Sequence, residues 1–500
     1  MFAQREKSAS PAVWFGVLCL YLVATRWPLA PHYLYYFDSA NFALALENFN
    51  PALHQPQPPG YPLFVGLTRL IHLFVLRPEH VFLIAGLLAA CGAVVLIRLL
   101  AREMFGAPAG MLAAALLASN PVFWFGGITN QIRVFLAVAA VAVAFLGWRA
   151  LRNPDRPGWL YAMFAAIAIG GGFRPGVAVK LLPLALWVWW RSGHRPRRLA
   201  ISFATMAVAA LPWLAVTTWA VGGPVRYAQV IWQYANEQFQ GSSALFGAAA
   251  PSALQMVRMA LVWNLLGVIA WVWAVPFVWR GISNPEWRER AAFLSIAFLP
   301  PFLFSALIHI GDPDQALASV SILCAAGGGV LAAFCRSGRR VGLTAGAVVA
   351  LQTILFFCPP TTLAKAASYR HVAMVDRMTT GAMTAIEALR SDGPLTIVHY
   401  GSSVASRELA YYFPDDYVVV LPSSPSDRAQ IWFHHQTVDP PDGAAALLRP
   451  GSSTVVCLLP WYSKGAELPG WAQKGAVFYR NAGAASTVKI GPFRLIRAIS

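Results

Sequence analysis

Asp38 is the first residue in the chain whose type and position could do chemistry. Its carboxylate lies in segment 35–62, which separates two strongly apolar stretches. A carboxylate beside apolar helices costs free energy unless it is used or paired, so we predict that Asp38 is a general base. Helix capping is the alternative, because Asp-Ser-Ala-Asn begins a helical pattern. Phe42, Leu46 and Phe49 continue that pattern and predict an amphipathic helix at the membrane surface.

His54 opens a proline-rich stretch that reads His-Gln-Pro-Gln-Pro-Pro-Gly-Tyr-Pro and ends at residue 62. A residue before proline is pushed away from the α region, so we expect a stiff, extended strip from His54 to Tyr61. A histidine in a loop usually has no function. In this stiff frame, contact with a phosphate or a sugar is an equally good interpretation of His54.

Arg174 follows three glycines and precedes Pro175-Gly176, which indicates a break in an intramembrane helix. An arginine at such a break needs an anionic partner, and a planar guanidinium suits a phosphate. Snorkelling of the side chain to the outer interface is the alternative. Lys180, nearly two helical turns further on, could reach the same place. Arg133 is a weaker candidate of the same type.

Metal chemistry has little support in the sequence. Asp312 and Asp314 resemble a metal-binding pair, but Asp-Pro-Asp is equally typical of a turn. The six cysteines show no metal-ligand spacing. The chain contains no GxGxxG, P-loop, HExxH or GxSxG motif.

The composition indicates a polytopic membrane protein. Hydrophobic residues make up 57% of the chain and charged residues 12%, whereas an ordinary soluble domain carries about 25% charge. The net charge of +17 would suggest nucleic acid as a partner of a soluble protein. Here the basic residues lie in short loops between apolar segments, which is the positive-inside pattern, so we exclude nucleic-acid binding.

Twelve apolar segments occur between residues 11 and 358, and not all of them can cross the membrane. Every cytoplasmic loop becomes basic if segment 61–76 stays on one side. That segment is short and contains Arg69 and His72. We therefore predict about eleven transmembrane helices and a cytoplasmic N-terminus, with 61–76 as an interfacial or re-entrant helix of the first outer loop, residues 30–78.

This topology places several polar elements on the outer face together with Asp38. They are the loop 121–133, the turn 170–176, the loop 222–254 and the turn 309–314. From these elements and the first outer loop we assign five residues to a substrate cavity: Asn41, Tyr61, Asn130, Gln131 and Arg133.

The composition changes after Pro359-Pro360. Residues 365–390 have helical periodicity, and β-strands are predicted at 394–400, 417–421, 453–459, near 475–480 and at 487–498. We therefore divide the chain into a transmembrane catalytic domain, residues 1–358, and a small α/β domain on the outer face, residues 359–500.

Five stretches resemble a known family. They are Asp38-Ser39-Ala40-Asn41, the strip from His54 to Pro62, Ala101 to Gly106, Asn120 to Phe125, and Gly171 to Pro175. Together they resemble the polytopic C-type glycosyltransferases, in particular the bacterial RgtA/B/C/D-like group, which is related to protein mannosyltransferases and lipid A aminoarabinose transferases. The resemblance covers roughly residues 10–340.

The resemblance implies an inverting transferase of the bacterial inner membrane. Its donor would be a polyprenyl-phosphate-linked sugar on the periplasmic side, and its acceptor a lipid, a glycan or a protein. Asp38 would be the base, and Arg174, Lys180 and His54 would bind the donor phosphate. Many relatives carry an acidic residue in the second outer loop, where this chain has Asn130 and Gln131. We therefore expect neither a metal nor another cofactor.

Two other classes of function remain open at this point. A transporter or flippase of lipid-linked sugars would place ionisable groups at mid-membrane on paired broken helices, but the sequence has only one such break, near Arg174. A non-catalytic scaffold would use the C-terminal domain to bind envelope partners.

Overall fold

The structure of the protein is a computed structural model. It describes residues 11–129, 131–193, 195–242, 253–278, 284–308, 313–335, 337–391, 393–402, 404–422, 429–438, 446–452, 454–459, 468–482, 487–490 and 492–497. The chain forms two compact units. The first comprises residues 1–30 and 49–371, and the second comprises residues 31–48 and 372–500.

The first unit is helical throughout its described part. Its α-helices are Pro11–Arg26, Pro62–His72, Pro78–Phe105, Ala107–Ser119, Pro121–Thr129, Val134–Arg152, Gly158–Phe173, Gly176–Arg191, Pro196–Val221, Pro224–Ser242, Ala253–Val268, Val275–Val278, Pro285–Leu303, Leu317–Phe334, Gly338–Phe357 and Thr362–Lys365. Short 3₁₀ turns occur at Trp27–Leu29, Pro51–Leu53, Gln131–Arg133, Val272–Ala274 and Pro313–Ala316, and a π-helical turn occurs at Phe304–Ile308.

Six helices of the described chain are long and apolar enough to cross a membrane: Pro78–Phe105, Gln131–Arg152, Pro196–Val221, Pro285–Ile308, Leu317–Phe334 and Gly338–Phe357. A bent pair would make seven, and three shorter apolar helices accompany them. The protein is therefore a multi-pass membrane protein, as the composition predicts. Length and composition do not confirm the expected number of eleven spans.

Pro62–His72 has 11 residues. At 1.5 Å per residue it extends about 16 Å, roughly half the hydrocarbon thickness of a bilayer. This length fits the interpretation of segment 61–76 as a helix that does not cross.

The bent pair corrects one expectation. Segment 121–133, predicted as a loop, is helical as far as Thr129, and this helix meets Ala107–Ser119 at 51°. Asn120 makes the bend possible, because its Oδ1 accepts hydrogen bonds from the backbone N–H groups of Val122 (3.0 Å) and Phe123 (3.2 Å). Proline at position 121 then begins the second helix without losing a required N–H donor.

The second unit joins a short N-terminal segment to the C-terminal part of the chain. His32 donates its backbone N–H to Asp376 at 2.7 Å, and the backbone N–H of Leu34 donates to the hydroxyl of Tyr412 at 3.1 Å. The helices of this unit are Phe37–Glu47, Tyr369–Arg390 and Ser406–Tyr412. We call the first of these the Asp38 helix and the last the Arg407 helix, and the two pack against each other.

The Asp38 helix is not the amphipathic surface helix that the sequence predicts. Every residue from Ser39 to Leu46 is buried, so the helix has no broad polar face. Phe49 lies beyond its end at Glu47. The periodicity of Phe42 and Leu46 identified a helix correctly, but the residues between them (Ala43, Leu44 and Ala45) are also apolar, so the helix is buried on all sides.

Ten strands complete the second unit: β1 Leu395–His399, β2 Tyr417–Val420, β3 Gln430–Phe433, β4 Gln436–Val438, β5 Ala446–Leu448, β6 Thr454–Leu458, β7 Ala472–Lys474, β8 Val477–Asn481, β9 Thr487–Ile490 and β10 Phe493–Arg497. One sheet has the order β4-β3-β2-β1-β6-β8-β7, in which β1 is parallel to β2 and β6; the other has the order β5-β10-β9. The α/β character is confirmed. The sequence missed the short strands β3, β4, β5 and β7, and it merged β9 with β10.

The central strand β1 is buried on both faces. Ile397 packs in the cluster that contains Ile386 of the helix Tyr369–Arg390, whereas Val398 packs in the cluster that contains Leu495 of the three-stranded sheet. Neighbouring residues of a strand point to opposite faces, and because both faces are covered, all four residues from 395 to 398 are buried.

Candidate active site

Arg174 lies at a break between two helices of the first unit. The helix Gly158–Phe173 ends there because Arg174 takes an extended conformation (φ −151°, ψ 103°), and the next helix begins at Gly176. Its guanidinium donates from Nη2 to Oε1 of Gln315 at 3.0 Å and lies 6.0 Å from the centroid of the Tyr61 ring. The predicted helix break is confirmed, and it directs a guanidinium toward the tyrosine of the proline-rich strip.

Two more cations belong to the same neighbourhood. Lys180 is only 3% exposed, and its Nζ lies 4.7 Å from the centroid of the Phe304 ring. The charges of Arg174 and Arg133 both act on Lys180, so the three side chains are electrostatic neighbours. Basic side chains grouped at a largely buried place would suit an anionic ligand, and a phosphate offers several charged oxygens.

The turn Gln131–Arg133 supplies the third of these cations. Both Gln131 and Arg133 are buried, and Nε2 of Gln131 donates to the carbonyl of Ile128 at 3.2 Å. Gln131 lies directly against Gly86, where an added Cβ would meet its Cγ at 2.7 Å. Asn130, assigned to the substrate cavity from the sequence, lies outside the described residues.

The strip from His54 to Tyr61 is built from turns and is not extended as expected. His54 and Tyr61 both have left-handed backbones (φ 55° and 51°), and Gly60 has φ 112°. Proline rigidity selects these turns as readily as an extended chain, because the sequence alternates proline with residues that can turn. Tyr227, from the later helix Pro224–Ser242, contacts the strip: its hydroxyl donates a hydrogen bond to the carbonyl of Pro59 at 2.8 Å.

His54 lies next to an aromatic side chain of the helix Pro224–Ser242. Its ring centroid is 6.0 Å from that of Tyr234, in an edge-to-face arrangement at 68°. Its role toward a phosphate stays a prediction.

Asp38 and Asn41 belong to the second unit. The Asp38 helix begins at Phe37, and its N-cap position is Tyr36, which makes no side-chain capping bond. Asp38 is therefore the second residue of the helix, in its first turn, where a carboxylate is stabilised by the helix dipole. Its side chain is half-buried. A common pocket for Asp38 and Arg174 stays a prediction.

Asn41 is fully buried, and its Oδ1 accepts a hydrogen bond from Nε of Arg407 at 2.9 Å. Sequence reasoning overlooked this arginine, and it overlooked Gln315 as the partner of Arg174. No local signal marks either residue, because each acquires its partner across more than a hundred residues.

Within the described ranges, no group of three His, Cys, Asp or Glu side chains is arranged to hold a metal ion. Asp312 and the side chain of Asp314 lie outside those ranges. The expectation that the reaction needs no metal stays a prediction.

Comparison with known proteins identifies the fold and gives a match to one family model over part of the chain. Residues 56–219 match the family model of dolichyl-phosphate-mannose-protein mannosyltransferase (PMT_2). This range includes most of the proline-rich strip and all three cations. Comparison of the sequence with curated proteins gives no significant match.

The fold is shared with ArnT from Cupriavidus metallidurans. The structure of ArnT bound to undecaprenyl phosphate aligns with a TM-score of 0.61 and 16% identity, over 95% of this chain and 98% of that chain. Its apo structure aligns with a TM-score of 0.58 and 15% identity, over 94% and 98% of the two chains. The resemblance to C-type glycosyltransferases is therefore confirmed at the level of the fold.

An oligosaccharyltransferase from Archaeoglobus fulgidus, tethered to an acceptor peptide, aligns over 80% of this chain and 62% of that chain, with 13% identity. Its TM-score of 0.41 is too low to add to the comparison with ArnT.

Proposed function

We propose that this protein is a membrane glycosyltransferase that takes a sugar from a polyprenyl-phosphate-linked donor. The observation that supports it best is the group Arg133, Arg174 and Lys180, three basic side chains whose charges act on Lys180 at a largely buried place. A fold seen in ArnT with undecaprenyl phosphate bound supplies a chemical identity for that anion.

In this proposal Asp38 is the general base and the three cations bind the phosphate of the donor. Asp38 accepts the proton of the acceptor hydroxyl as its oxygen attacks the anomeric carbon. The bond between that carbon and the phosphate oxygen breaks, and polyprenyl phosphate leaves with the electron pair. Attack opposite the leaving group inverts the anomeric carbon.

The cations are expected to matter more than an acid, because a phosphate leaves readily once its charge is stabilised. A guanidinium binds two phosphate oxygens at once, and an ammonium adds a compact charge. We place Tyr61, Asn41, Asn130, Gln131 and His54 around the substrates, with no metal in the reaction.

The proposal includes the location of the reaction. We place the protein in the bacterial inner membrane, with a cytoplasmic N-terminus and with Asp38 and the C-terminal unit on the periplasmic side. Its acceptor is then a lipid, a glycan or a protein of the envelope. Alkaline phosphatase fused after residue 500 should be active in intact cells. An inactive fusion that is produced in full would reverse this topology.

The decisive experiment uses the purified full chain with a radiolabelled polyprenyl-phosphate sugar and an envelope extract as acceptor. Asp38→Asn should abolish transfer and leave membrane insertion and folding intact. Asp155→Asn is the matched control, because Asp155 is an exposed carboxylate in a loop between two helices. Full activity of Asp38→Asn would remove the mechanism. Movement of the intact donor across vesicles, with no transfer, would favour the transporter.

A further inference from the structure

Arg407 is buried in the second unit in an unusual way. It lies in the short Arg407 helix and is 0% exposed. Its guanidinium carbon lies 3.9 Å from the centroid of the Trp432 ring, so the cation stacks on the ring face. Trp432 belongs to strand β3 and is itself largely buried.

The arginine has one hydrogen-bond partner in the described chain. Its Nε donates to Oδ1 of Asn41, whereas Nη1 and Nη2 are buried without a hydrogen bond. No carboxylate among the described residues forms an ion pair with it. The adjacent Glu408 is also buried, and burial raises the pKa of its carboxyl well above its usual range, which favours the uncharged form.

Such an arrangement is costly for stability. A buried guanidinium loses its hydration, and two of its nitrogens recover no hydrogen bond. Burial lowers the pKa of Arg407 to about 10, which shows the same cost for the charged form. A leucine or methionine of similar volume would fill this place at lower cost. A residue that costs stability is expected to provide something other than stability.

The geometry indicates what Arg407 provides. Its plane is fixed by the ring face on one side and by an amide oxygen at its Nε, so the guanidinium cannot rotate freely. The amide belongs to Asn41, which is three residues after Asp38 and therefore lies on the same side of the Asp38 helix. Rotation of that helix about its axis would break this hydrogen bond.

A ligand site at Arg407 is the competing interpretation. The two hydrogen-bond-free nitrogens could attract an anion, but a side chain that is 0% exposed offers no route for one. The contact with Asn41 needs no opening of the structure. Orientation of the helix is therefore the better explanation.

We propose that Arg407 is a positioning residue, which through Asn41 fixes the orientation of the Asp38 helix and hence the direction of the Asp38 carboxylate. The proposal rests on the function of Asp38 as the base. A catalytic group that is misplaced by about 1 Å can lower the rate about a hundredfold. We therefore expect the loss of Arg407 to lower kcat.

The test combines steady-state kinetics with hydrogen–deuterium exchange of the Asp38 helix in the full-length protein. Arg407→Met should lower kcat about 10- to 100-fold and leave KM for the donor within about threefold. Amides of residues 37–47 should exchange about tenfold faster. Arg407→Lys, which keeps the charge but has no Nε–H at that position, should show a smaller change in the same direction.

Arg449→Met is the matched control, because the Arg449 guanidinium also lies over a ring of β3, 5.5 Å from the centroid of Phe433. It should keep wild-type kcat and wild-type exchange. Asn41→Asp keeps an oxygen acceptor for Arg407 and should keep slow exchange in the helix. Asn41→Ala should speed exchange as much as Arg407→Met, and the double variant should be no faster than either alone.

Wild-type kcat together with wild-type exchange in Arg407→Met would overturn the proposal, as would additive effects in the double variant. If Arg407→Met does not fold, Arg407→Lys and Asn41→Ala decide by the same exchange measurement. The two proposals can fail separately. Activity in Asp38→Asn would remove the proposed function, whereas the exchange of residues 37–47 still reports whether Arg407 orients the helix.

Discussion

Arg174 donates a hydrogen bond from Nη2 to Oε1 of Gln315 over 3.0 Å, across 141 positions of the chain. Gln315 orients the guanidinium, and because an amide is neutral, it does not cancel the positive charge. A carboxylate at this position would hold Arg174 equally well but would compete with a phosphate.

Gln315→Glu should therefore weaken the binding of undecaprenyl phosphate about 10- to 100-fold, because the new carboxylate pairs with Arg174. Gln315→Met removes the hydrogen bond without adding charge and should keep the affinity within about threefold. Binding can be followed by isothermal titration in detergent. Equal effects of the two substitutions would show that the charge of Arg174 is not used in this way.

Lys180→Met should change stability and binding in opposite directions. The substitution removes a buried ammonium that is repelled by Arg174 and Arg133, so the thermal midpoint should rise. In the proposed site the donor phosphate would lose one of three basic partners, so its affinity should fall about tenfold, or 1.4 kcal/mol. Lys180→Arg should lose less affinity. A variant that is both more stable and fully able to bind would exclude Lys180 from the phosphate site.

Gly172→Ala and Gly171→Ala form a matched pair beside Arg174. A Cβ at Gly172 would meet Leu63 Cδ1 at 2.6 Å and Trp213 Cδ1 at 2.9 Å, so neighbouring helices must move apart at a cost of about 1–3 kcal/mol. A Cβ at Gly171 has only an ordinary contact of 3.7 Å and should stabilise the helix by about 0.5–1 kcal/mol.

Leu63 follows Tyr61-Pro62 directly, so the displacement at Gly172 should also lower transfer activity. Thermal midpoints and donor KM of the two variants give the comparison. Gly171→Ala should remain as active as the wild type. Equal activity of both variants would mean that the packing of the strip against the helix break does not affect the site.

The proportion of the site that the sequence could predict depends on how local each signal is. The helix break at Arg174 was predictable because three glycines and a proline surround it in sequence. The strands β1, β2 and β6 were predictable from apolar runs, since they are central and buried on both faces. Strands β3 and β5 have only four and three residues, and they form because they pair with a neighbouring strand.

Long-range partners left no such signal. The bond between Asn41 and Arg407 crosses 366 positions, and neither residue differs from an ordinary helical polar residue in sequence. The strip from His54 to Tyr61 shows the reverse problem. Its prolines indicate a rigid segment, but several rigid conformations fit the same sequence. The turns found in the structure are accompanied by contacts from distant residues, such as the hydrogen bond from Tyr227 to the carbonyl of Pro59.

Glu408→Gln should make the second unit more stable at neutral pH and not in acid. Burial raises the pKa of the Glu408 carboxyl well above its usual range, whereas the unfolded chain ionises it near a pKa of about 4.3. The stability contribution of Glu408 is therefore fully present below that pH and is lost as the pH rises toward the raised pKa of the folded state.

The thermal midpoint of Glu408→Gln, measured by scanning fluorimetry, should exceed that of the wild type at pH 7.5 and equal it near pH 4. Glu387→Gln is the control, because Glu387 is exposed on the helix Tyr369–Arg390, and it should shift neither midpoint. A gain of the same size at both pH values would mean that ionisation of Glu408 does not contribute.

The division of the chain has a consequence for biosynthesis. Asn41 leaves the ribosome 366 residues before Arg407, an interval of roughly 20–70 s at 5–20 residues per second. During that time most membrane helices are inserted while the Asp38 helix still lacks the partners that bury it. A nascent or prematurely terminated chain can therefore occupy the membrane without an ordered Asp38 helix. The order of translation itself delays the burial of the Asp38 helix until the segment that contains Arg407 has been made and has folded.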